Sequence, residues 1–182
     1  MTLRVALGAK PGFSPQDTVQ LVLQSPVLQP QQLEQILVQD RIEVATFDTL
    51  YTPTLNSREE NAKRVEEAIN ALCDQIEEAA RRRCGIVLLS DKNISKDKAA
   101  LPAILMAAAA NQSLIKQGLS FATCIVSLTG QAPTSHDISC FLGFAPSPVY
   151  PFSVFHRSQP FTPTTPHQTD ITHFQTALPT HT

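Results

Sequence analysis

The feature that most constrains the fold is an alternation of short apolar runs with longer amphipathic segments in the middle of the sequence. Strand patterns occur at Glu43–Asp48, Ile86–Leu89 and Phe121–Leu128, and a short one lies near Ser147–Tyr150. The run at Ile86–Leu89 has no polar position, which is typical of a strand covered on both faces. Strands that alternate with helices in this way are usually parallel and joined by right-handed crossovers.

Helical patterns fill the intervals between these strands. The first begins with a capping box, in which the Ser57 hydroxyl accepts a hydrogen bond from an amide of the first turn and Glu60 reaches back. Arg81–Arg83 supplies positive charge at the end of this helix, and Gly85 is predicted to stop it. The apolar stripe has a spacing of three to four residues and consists of Ala62, Val65, Ile69, Leu72, Cys73, Ile76 and Ala80.

Two further helices follow. Ala103–Lys116 is predicted to begin behind Pro102 and to be capped by Gly118, and Ser135–Leu142 is predicted to be stopped by Gly143. The resulting order, βαβαβαβ, predicts an α/β fold with a parallel sheet. Such a unit forms either a rudimentary or half (β/α)8 barrel or a small open sheet, and periodicity alone does not choose between them.

The sequence divides into three parts. Residues 24–154 form the predicted α/β domain, which opens with a loop and a short helix at Gln31–Val38. Residues 1–23 are a leader, for which an extra strand at Leu3–Leu7 is one interpretation. Seven of the 14 prolines follow residue 145, and Thr, Pro, Gln and His dominate residues 155–182. We therefore predict an extended or disordered tail there.

Composition excludes several classes of function. The formal net charge is −2, so the chain lacks the positive field that nucleic-acid binding requires. The longest apolar run, Ala103–Ala110, falls far short of the roughly 20 residues that span a bilayer. The N-terminus does not have the pattern of a signal peptide. We therefore predict a cytoplasmic protein that binds neither nucleic acid nor membrane.

The cysteines are predicted to be structural. Cys73, Cys84, Cys124 and Cys140 form no CxxC pair and no zinc-knuckle spacing, which favours buried, reduced thiols. The histidines of the tail are irregularly spaced and favour solvated side chains rather than a metal site. The sequence has no GxGxxG, GxxxxGK[ST], GxSxG or HExxH motif. We therefore predict no cofactor and no metal in this chain.

Polar residues at the predicted strand ends are the candidates for a functional site. In parallel α/β folds, functional groups collect outside the carboxyl ends of the strands. An acid/base cluster or an anion-binding face is one interpretation, and ordinary loop and capping residues are the other. The candidates are Asp48, Ser90, Asp91, Lys92, Thr129 and His136.

Several short segments, in order, resemble the central domain of the glutamate synthase large subunit. Ser25–Leu28, Gln32–Glu34 and Ala45–Asp48 are similar to the opening of that domain, and Val87–Asp91 is similar to its LSDR strand end, with Lys92 in place of arginine. The resemblance covers roughly residues 24–154. It continues through Ala100–Leu105, Leu114–Leu119, Thr129–Ala132, His136, Leu142–Ala145 and Val149–Pro151.

The resemblance implies a mainly structural domain. In the family, this domain resembles a rudimentary flavin-type barrel and links a glutamine amidotransferase domain to a synthase domain. FMN and the iron–sulfur cluster belong to that synthase domain, which this chain does not contain. The sequence also departs from the family pattern: Asn111–Ser113 replaces a run of histidines, Leu128 replaces a glutamate and Pro133 replaces an arginine.

The sequence and the resemblance therefore leave three alternative functions. The first is a non-catalytic protein, stand-alone or truncated, with a structural or interaction role. The second is one component of a split glutamate synthase, in glutamine-dependent glutamate biosynthesis with ammonia channelling, whose partners supply the glutaminase and the FMN synthase parts. The third is a binding module for glutamate or 2-oxoglutarate-like anions. An isolated half-barrel exposes strand edges, so a partner or self-association is also predicted.

Overall fold

A computed structural model describes residues 4–10, 18–54, 57–144, 148–157 and 174–177. Every helix in this part of the chain is too short or too polar to span a lipid bilayer. The helices are α1 (Pro30–Val38), α2 (Arg58–Arg81), α3 (Ala103–Lys116), α4 (Ser135–Phe144) and α5 (Phe152–Arg157). The strands are β1 (Val5–Leu7), β2 (Thr18–Leu23), β3 (Val44–Asp48), β4 (Leu50–Tyr51), β5 (Ile86–Ser90), β6 (Ala99–Ala100), β7 (Cys124–Thr129), β8 (Val149–Pro151) and β9 (Phe174–Ala177).

The centre of the fold is a four-stranded parallel sheet in the order β3-β5-β7-β8. Helices α2, α3 and α4 connect its successive strands. The predicted βαβαβαβ unit and α/β fold are therefore confirmed. Sequential strands lie side by side and leave two distinct edges, so the described residues form an open sheet with the connectivity of part of a barrel.

Each face of this sheet has its own apolar core, because side chains alternate across a strand. Val87 and Leu89 of β5 point to the helical core, which is filled by α2 and α3. Ile86 and Leu88 point to the opposite face, the hairpin core, which is covered by β1, β2 and α1. All five residues of β5 are buried, as its continuous apolar pattern predicts.

A second sheet has the order β1-β2-β9, with β2 antiparallel to both neighbours. Strand β1 lies where the sequence analysis places an extra strand, whereas β2 has no counterpart there. Strand β9 and the end of α5 fall within the region predicted to be a disordered tail. The rest of that region, residues 158–173 and 178–182, lies outside the described residues.

The ends of the helices depend on a few specific residues. The Ser57 hydroxyl accepts a hydrogen bond from the Glu60 amide at 3.0 Å, which confirms the Ser57 half of the predicted capping box. The Glu60 carboxylate accepts from Arg64 Nη2 at 3.1 Å. Helix α2 does not end through Gly85: the residue in the left-handed conformation is Arg83, with φ of 67°. Gly85 instead permits a close approach, since a Cβ there would lie 2.5 Å from Cγ2 of Ile42.

Helices α2 and α3 end in the same way. The amide of Arg83 donates to Ala80 O at 3.0 Å, and that of Cys84 donates to Ala79 O at 3.0 Å. These two bonds define a Schellman motif. At the end of α3, Gly118 (φ 68°) and Leu119 make the equivalent bonds, to Ile115 O at 3.0 Å and to Leu114 O at 2.8 Å. The predicted cap at Gly118 is confirmed, whereas Gly143 lies inside α4.

Candidate functional site

A buried carboxylate lies at the carboxyl end of the parallel sheet. Asp91 directly follows β5 and is only 1% exposed. Its Oδ2 accepts a hydrogen bond from the Thr129 hydroxyl at 2.6 Å, and its Oδ1 accepts one from the Gly130 amide at 2.9 Å. Because Thr129 ends β7, these bonds hold the ends of two neighbouring strands together.

Gln131 extends this network to the start of α3. Its Nε2 donates to Asp91 Oδ2 at 3.0 Å and to Leu101 O at 2.9 Å. Its Oε1 accepts from the Ala103 amide at 3.2 Å. Pro102, the residue at the N-cap of α3, provides no side-chain cap, so Gln131 takes that role from a distant part of the sequence. We refer to Asp91, Thr129, Gly130 and Gln131 as the strand-end network.

The other predicted site residues on these strands lie outside the network. Ser90 is buried, and its hydroxyl accepts from the Lys92 amide at 3.3 Å. Asp48 is exposed and accepts from Asn93 Nδ2 at 3.0 and 3.2 Å. The side chain of Lys92 is exposed. The structure therefore brings Asp91 and Thr129 into contact and leaves Asp48 and Lys92 at the surface.

His136 is separate from these residues. It is exposed on α4, where its Nε2 lies 3.7 Å from Sγ of Cys140, one helical turn away. Nearby, Thr134 and Asp137 cap the start of α4, with the Asp137 amide donating to the Thr134 hydroxyl at 3.2 Å. Hydrogen bonds from the hydroxyl and amide of Thr134 hold the pKa of the Asp137 carboxyl below its usual value. This cluster is an N-cap of the kind found on many helices.

An open cleft of about 370 Å³ lies above the strand-end network. Its walls include Ile94, Pro102 and Phe152, and Asp91 and Gln131 contribute to its lining. The hydrogen-bonding atoms of these two polar residues are engaged within the protein. The cleft therefore presents mainly apolar surface, and in the described part of the chain no group of three or more His, Cys, Asp or Glu could hold a metal ion.

The thiols are not arranged for reaction at this site. All four cysteines are free; Cys73 and Cys84 are buried, whereas Cys124 and Cys140 are partly buried. Burial raises the pKa of the Cys124 thiol to about 11, and it raises the pKa of Cys73 and of Cys84 as well. A raised pKa keeps these three groups in the unreactive thiol form at neutral pH.

Sequence reasoning missed Gln131 and Asn93 as members of these clusters. Gln131 comes two residues after a predicted strand end, which is a weak signal. Its partners Leu101 and Ala103 are about 30 positions away, so no local pattern could have identified them. Asn93 likewise joins Asp48 across 45 positions.

These features define a class: an α/β domain of parallel βαβ units whose strand-end carboxylate is used within the fold. The family model described as the glutamate synthase central domain matches residues 1–179. The chain therefore belongs to the glutamate synthase central domain family, as the resemblance predicted.

The individual relatives are named as glutamate synthases. The chain is 30% identical over 157 residues to the chloroplastic ferredoxin-dependent glutamate synthase of Spinacia oleracea, covering 84% of this chain and 9% of that protein. It is 28% identical over 157 residues to the corresponding protein of Oryza sativa subsp. japonica, covering 84% and 10%. Against the NADPH glutamate synthase large chain of Bacillus subtilis (strain 168) it is 24% identical over 110 residues, covering 59% and 7%. The chain spans about a tenth of the length of these relatives or less.

Proposed function

We propose that this chain is a structural domain of a glutamate synthase-type system and performs no catalysis itself. Family membership supports the connection to glutamate synthase. The observation that carries the non-catalytic role is the state of Asp91, whose two carboxylate oxygens accept hydrogen bonds from Thr129, Gly130 and Gln131.

A general base must come within hydrogen-bond reach of the proton that it removes. Asp91 is 1% exposed, and the donors that surround it come from the protein itself. Asp48, Lys92 and His136, the other candidates for acid/base chemistry, are exposed and do not join the network. The strand-end network therefore serves to fix β5, β7 and α3 relative to one another.

The proposed neighbours are a glutaminase part and an FMN-containing synthase part, either in one longer chain or as separate subunits. The relatives that the chain matches over 157 residues are named as glutamate synthases, and the matched stretch is 9–10% of their length. On this proposal FMN and the iron–sulfur cluster bind to the neighbouring parts. The central domain contributes a rigid frame between them.

The test is an assay of the purified 182-residue chain with glutamine, 2-oxoglutarate and a reduced electron donor. We expect no glutamate above the level of a heat-denatured sample, whereas a complete glutamate synthase serves as the positive control. Equilibrium dialysis against FMN, glutamate and 2-oxoglutarate should show no stoichiometric binding. Turnover by the chain alone, or saturable binding of FMN, would contradict the proposal, and saturable binding of glutamate or 2-oxoglutarate would replace it with a ligand-binding role for the cleft.

A further inference from the structure

The two edges of the four-stranded sheet differ. At the β8 edge, the chain closes the sheet itself: the Leu28 amide donates to Val149 O at 2.9 Å, and the Val149 amide donates to Pro26 O at 2.9 Å. Residue Val27 forms a parallel bridge with Val149 at this point. At the opposite edge, no strand within the described residues pairs with the outer side of β3.

The exposure of β3 agrees with an open edge. Thr46 and Asp48 are exposed, and Val44, Ala45 and Phe47 are only partly buried. By contrast, β8 at the closed edge has two of its three residues buried. An unpaired strand edge is a template for another strand, and proteins usually cover or disrupt it.

The hydrogen bonds to β5 determine which backbone groups of β3 face outward. The Ile86 amide donates to Glu43 O at 3.1 Å, and the Thr49 amide donates to Ser90 O at 2.8 Å. In a parallel ladder, successive residues direct their N–H and C=O groups alternately to the two sides. The odd-numbered residues from 43 to 49 therefore face β5, and the three even-numbered residues between them direct theirs outward.

We propose that a second copy of this chain pairs with β3, antiparallel and about a twofold axis at Thr46. In this register Thr46 lies opposite Thr46 of the second copy, and Val44 lies opposite Asp48. All three outward-facing residues of one copy then meet outward-facing residues of the other, and each such pair exchanges two hydrogen bonds. The central sheet becomes a continuous sheet of two four-stranded halves.

The side chains of β3 suit a second copy in this register. Ala45 comes opposite Phe47 of the second copy, so a small residue meets a large one, and both are partly buried packing partners of the helical core in the single chain. The acidic residues Glu43 and Asp48 come opposite Thr49 and Val44. No carboxylate therefore faces a carboxylate, which would be unfavourable. The inference goes beyond the proposed function and does not depend on it.

The test introduces a charge at Thr46, the residue on the proposed twofold axis. Sedimentation equilibrium of the wild-type chain should show a monomer–dimer equilibrium. Thr46→Lys and Thr46→Glu each place like charges opposite one another and should weaken dimerisation by about fivefold. An equimolar mixture of the two variants should recover or exceed the wild-type affinity, because opposite charges then meet. Thr52→Lys, at another exposed position, is the matched control and should leave the dimer unchanged.

Amide hydrogen exchange gives a second reading that needs no variant. Protection of the Val44, Thr46 and Asp48 amides should increase with protein concentration, whereas the Ala45 and Phe47 amides should be protected at all concentrations. A chain that stays monomeric overturns the proposal, as does a dimer that is insensitive to Thr46→Lys or a mixture that does not recover. Protection of the outward amides in the monomer also overturns it, because the chain would then cover its own edge.

Discussion

At the residue scale, Asp91 is a strand-end carboxylate whose oxygens are enclosed by hydrogen bonds within the fold. Its partners come from β7, from the turn after β7 and, through Gln131, from the start of α3. A charged group this deeply buried is tolerated because three hydrogen bonds replace its hydration. The same bonds that enclose the carboxylate hold three elements in position.

We predict that Asp91→Ala lowers the free energy of unfolding by about 3 kcal/mol, because the Gly130 amide and the Gln131 amide group lose a buried acceptor. The free energy of unfolding of Asp91→Asn should lie between those of the wild type and Asp91→Ala. The carbonyl oxygen of the asparagine still accepts a hydrogen bond, whereas its NH2 group meets other donors. Urea unfolding followed by circular dichroism measures the effect.

The matched control for Asp91 is Asp97→Ala, which removes a carboxylate from an exposed position six residues away. We expect it to change stability by no more than about 0.5 kcal/mol. Equal losses in the two variants would show that the network contributes nothing beyond the charge of the loop.

Whether a residue of the strand-end network can be predicted depends on how far its hydrogen-bond partners lie from it in the sequence. The sequence predicts that Asp91 and Thr129 lie at one edge of the sheet, because each follows an apolar run and parallel strands bring such positions together. His136 comes shortly after the end of β7 in the sequence, yet it is exposed on a helix. Gln131 was missed as a site residue because its function depends on Leu101 and Ala103, which only the tertiary fold brings near.

At the element scale, α2 and α3 end in the same motif with different residues at the left-handed position. Arg83 has φ of 67° and Gly118 has φ of 68°. A residue with a Cβ costs roughly 1–2 kcal/mol in this conformation, whereas glycine adopts it freely. The two helix ends therefore allow the cost of this conformation to be compared between a residue with a Cβ and a glycine.

We predict that Arg83→Gly raises the free energy of unfolding by about 0.5 kcal/mol, after allowing for the greater entropy of glycine in the unfolded chain and for the loss of the interaction that Arg83 makes. Gly118→Ala should lower it by about 1 kcal/mol, although nothing lies within 4 Å of an added Cβ. Urea unfolding of both variants measures these changes in the free energy of unfolding, which should have opposite signs.

Arg82→Gly separates backbone strain from charge, because Arg82 is the adjacent cation but has an ordinary φ of −78°. We expect this variant to be no more stable than the wild type. Equal stabilisation by Arg82→Gly and Arg83→Gly would instead indicate relief of repulsion among the arginines.

Helices α2 and α3 and strands β3, β5 and β7 were predictable from the sequence, whereas strands β2, β4 and β6 were not. Helix α3 has the predicted bounds because its apolar spacing, the proline that precedes it and its glycine cap agree. The sequence predicts the end of α2 at Gly85, since a left-handed residue is usually a glycine and rarely an arginine, but that residue is Arg83. Strands β4 and β6 have two residues each, which is too short for any periodicity, and they exist because they pair with one another.

At the scale of the whole molecule, the two cores share one central strand. Residues of β5 contribute alternately to the helical core and to the hairpin core. Loss of either core therefore exposes one face of the same strand. This arrangement favours a single cooperative unfolding transition for the domain.

We predict that Leu114→Ala in the helical core and Leu28→Ala in the hairpin core each lower the free energy of unfolding by about 3 kcal/mol. Both leucines are at most 2% exposed. The chain has two tyrosines and no tryptophan, and Tyr51 packs against the helical core while Tyr150 packs against the hairpin core. A variant that keeps only Tyr51 and a variant that keeps only Tyr150 each report on one core. Their fluorescence should show the same unfolding midpoint, whether the chain also carries Leu114→Ala or Leu28→Ala.

Leu105→Ala is the control for these substitutions, because Leu105 is 50% exposed and its truncation leaves little cavity. It should lower the free energy of unfolding by less than about 1 kcal/mol. Separate midpoints for the two tyrosines would show that the cores unfold independently.

The placement of β2 between β1 and β9 has a mechanical consequence. Val5 lies beside Leu23 at one end of β2, and Ala177 lies beside Thr18 at the other. Tension applied between residues 5 and 177 would pull the two flanking strands along β2 in opposite directions. Their hydrogen bonds would then be loaded together in shear rather than opened one at a time, so this sheet is oriented to resist stretching along its strands.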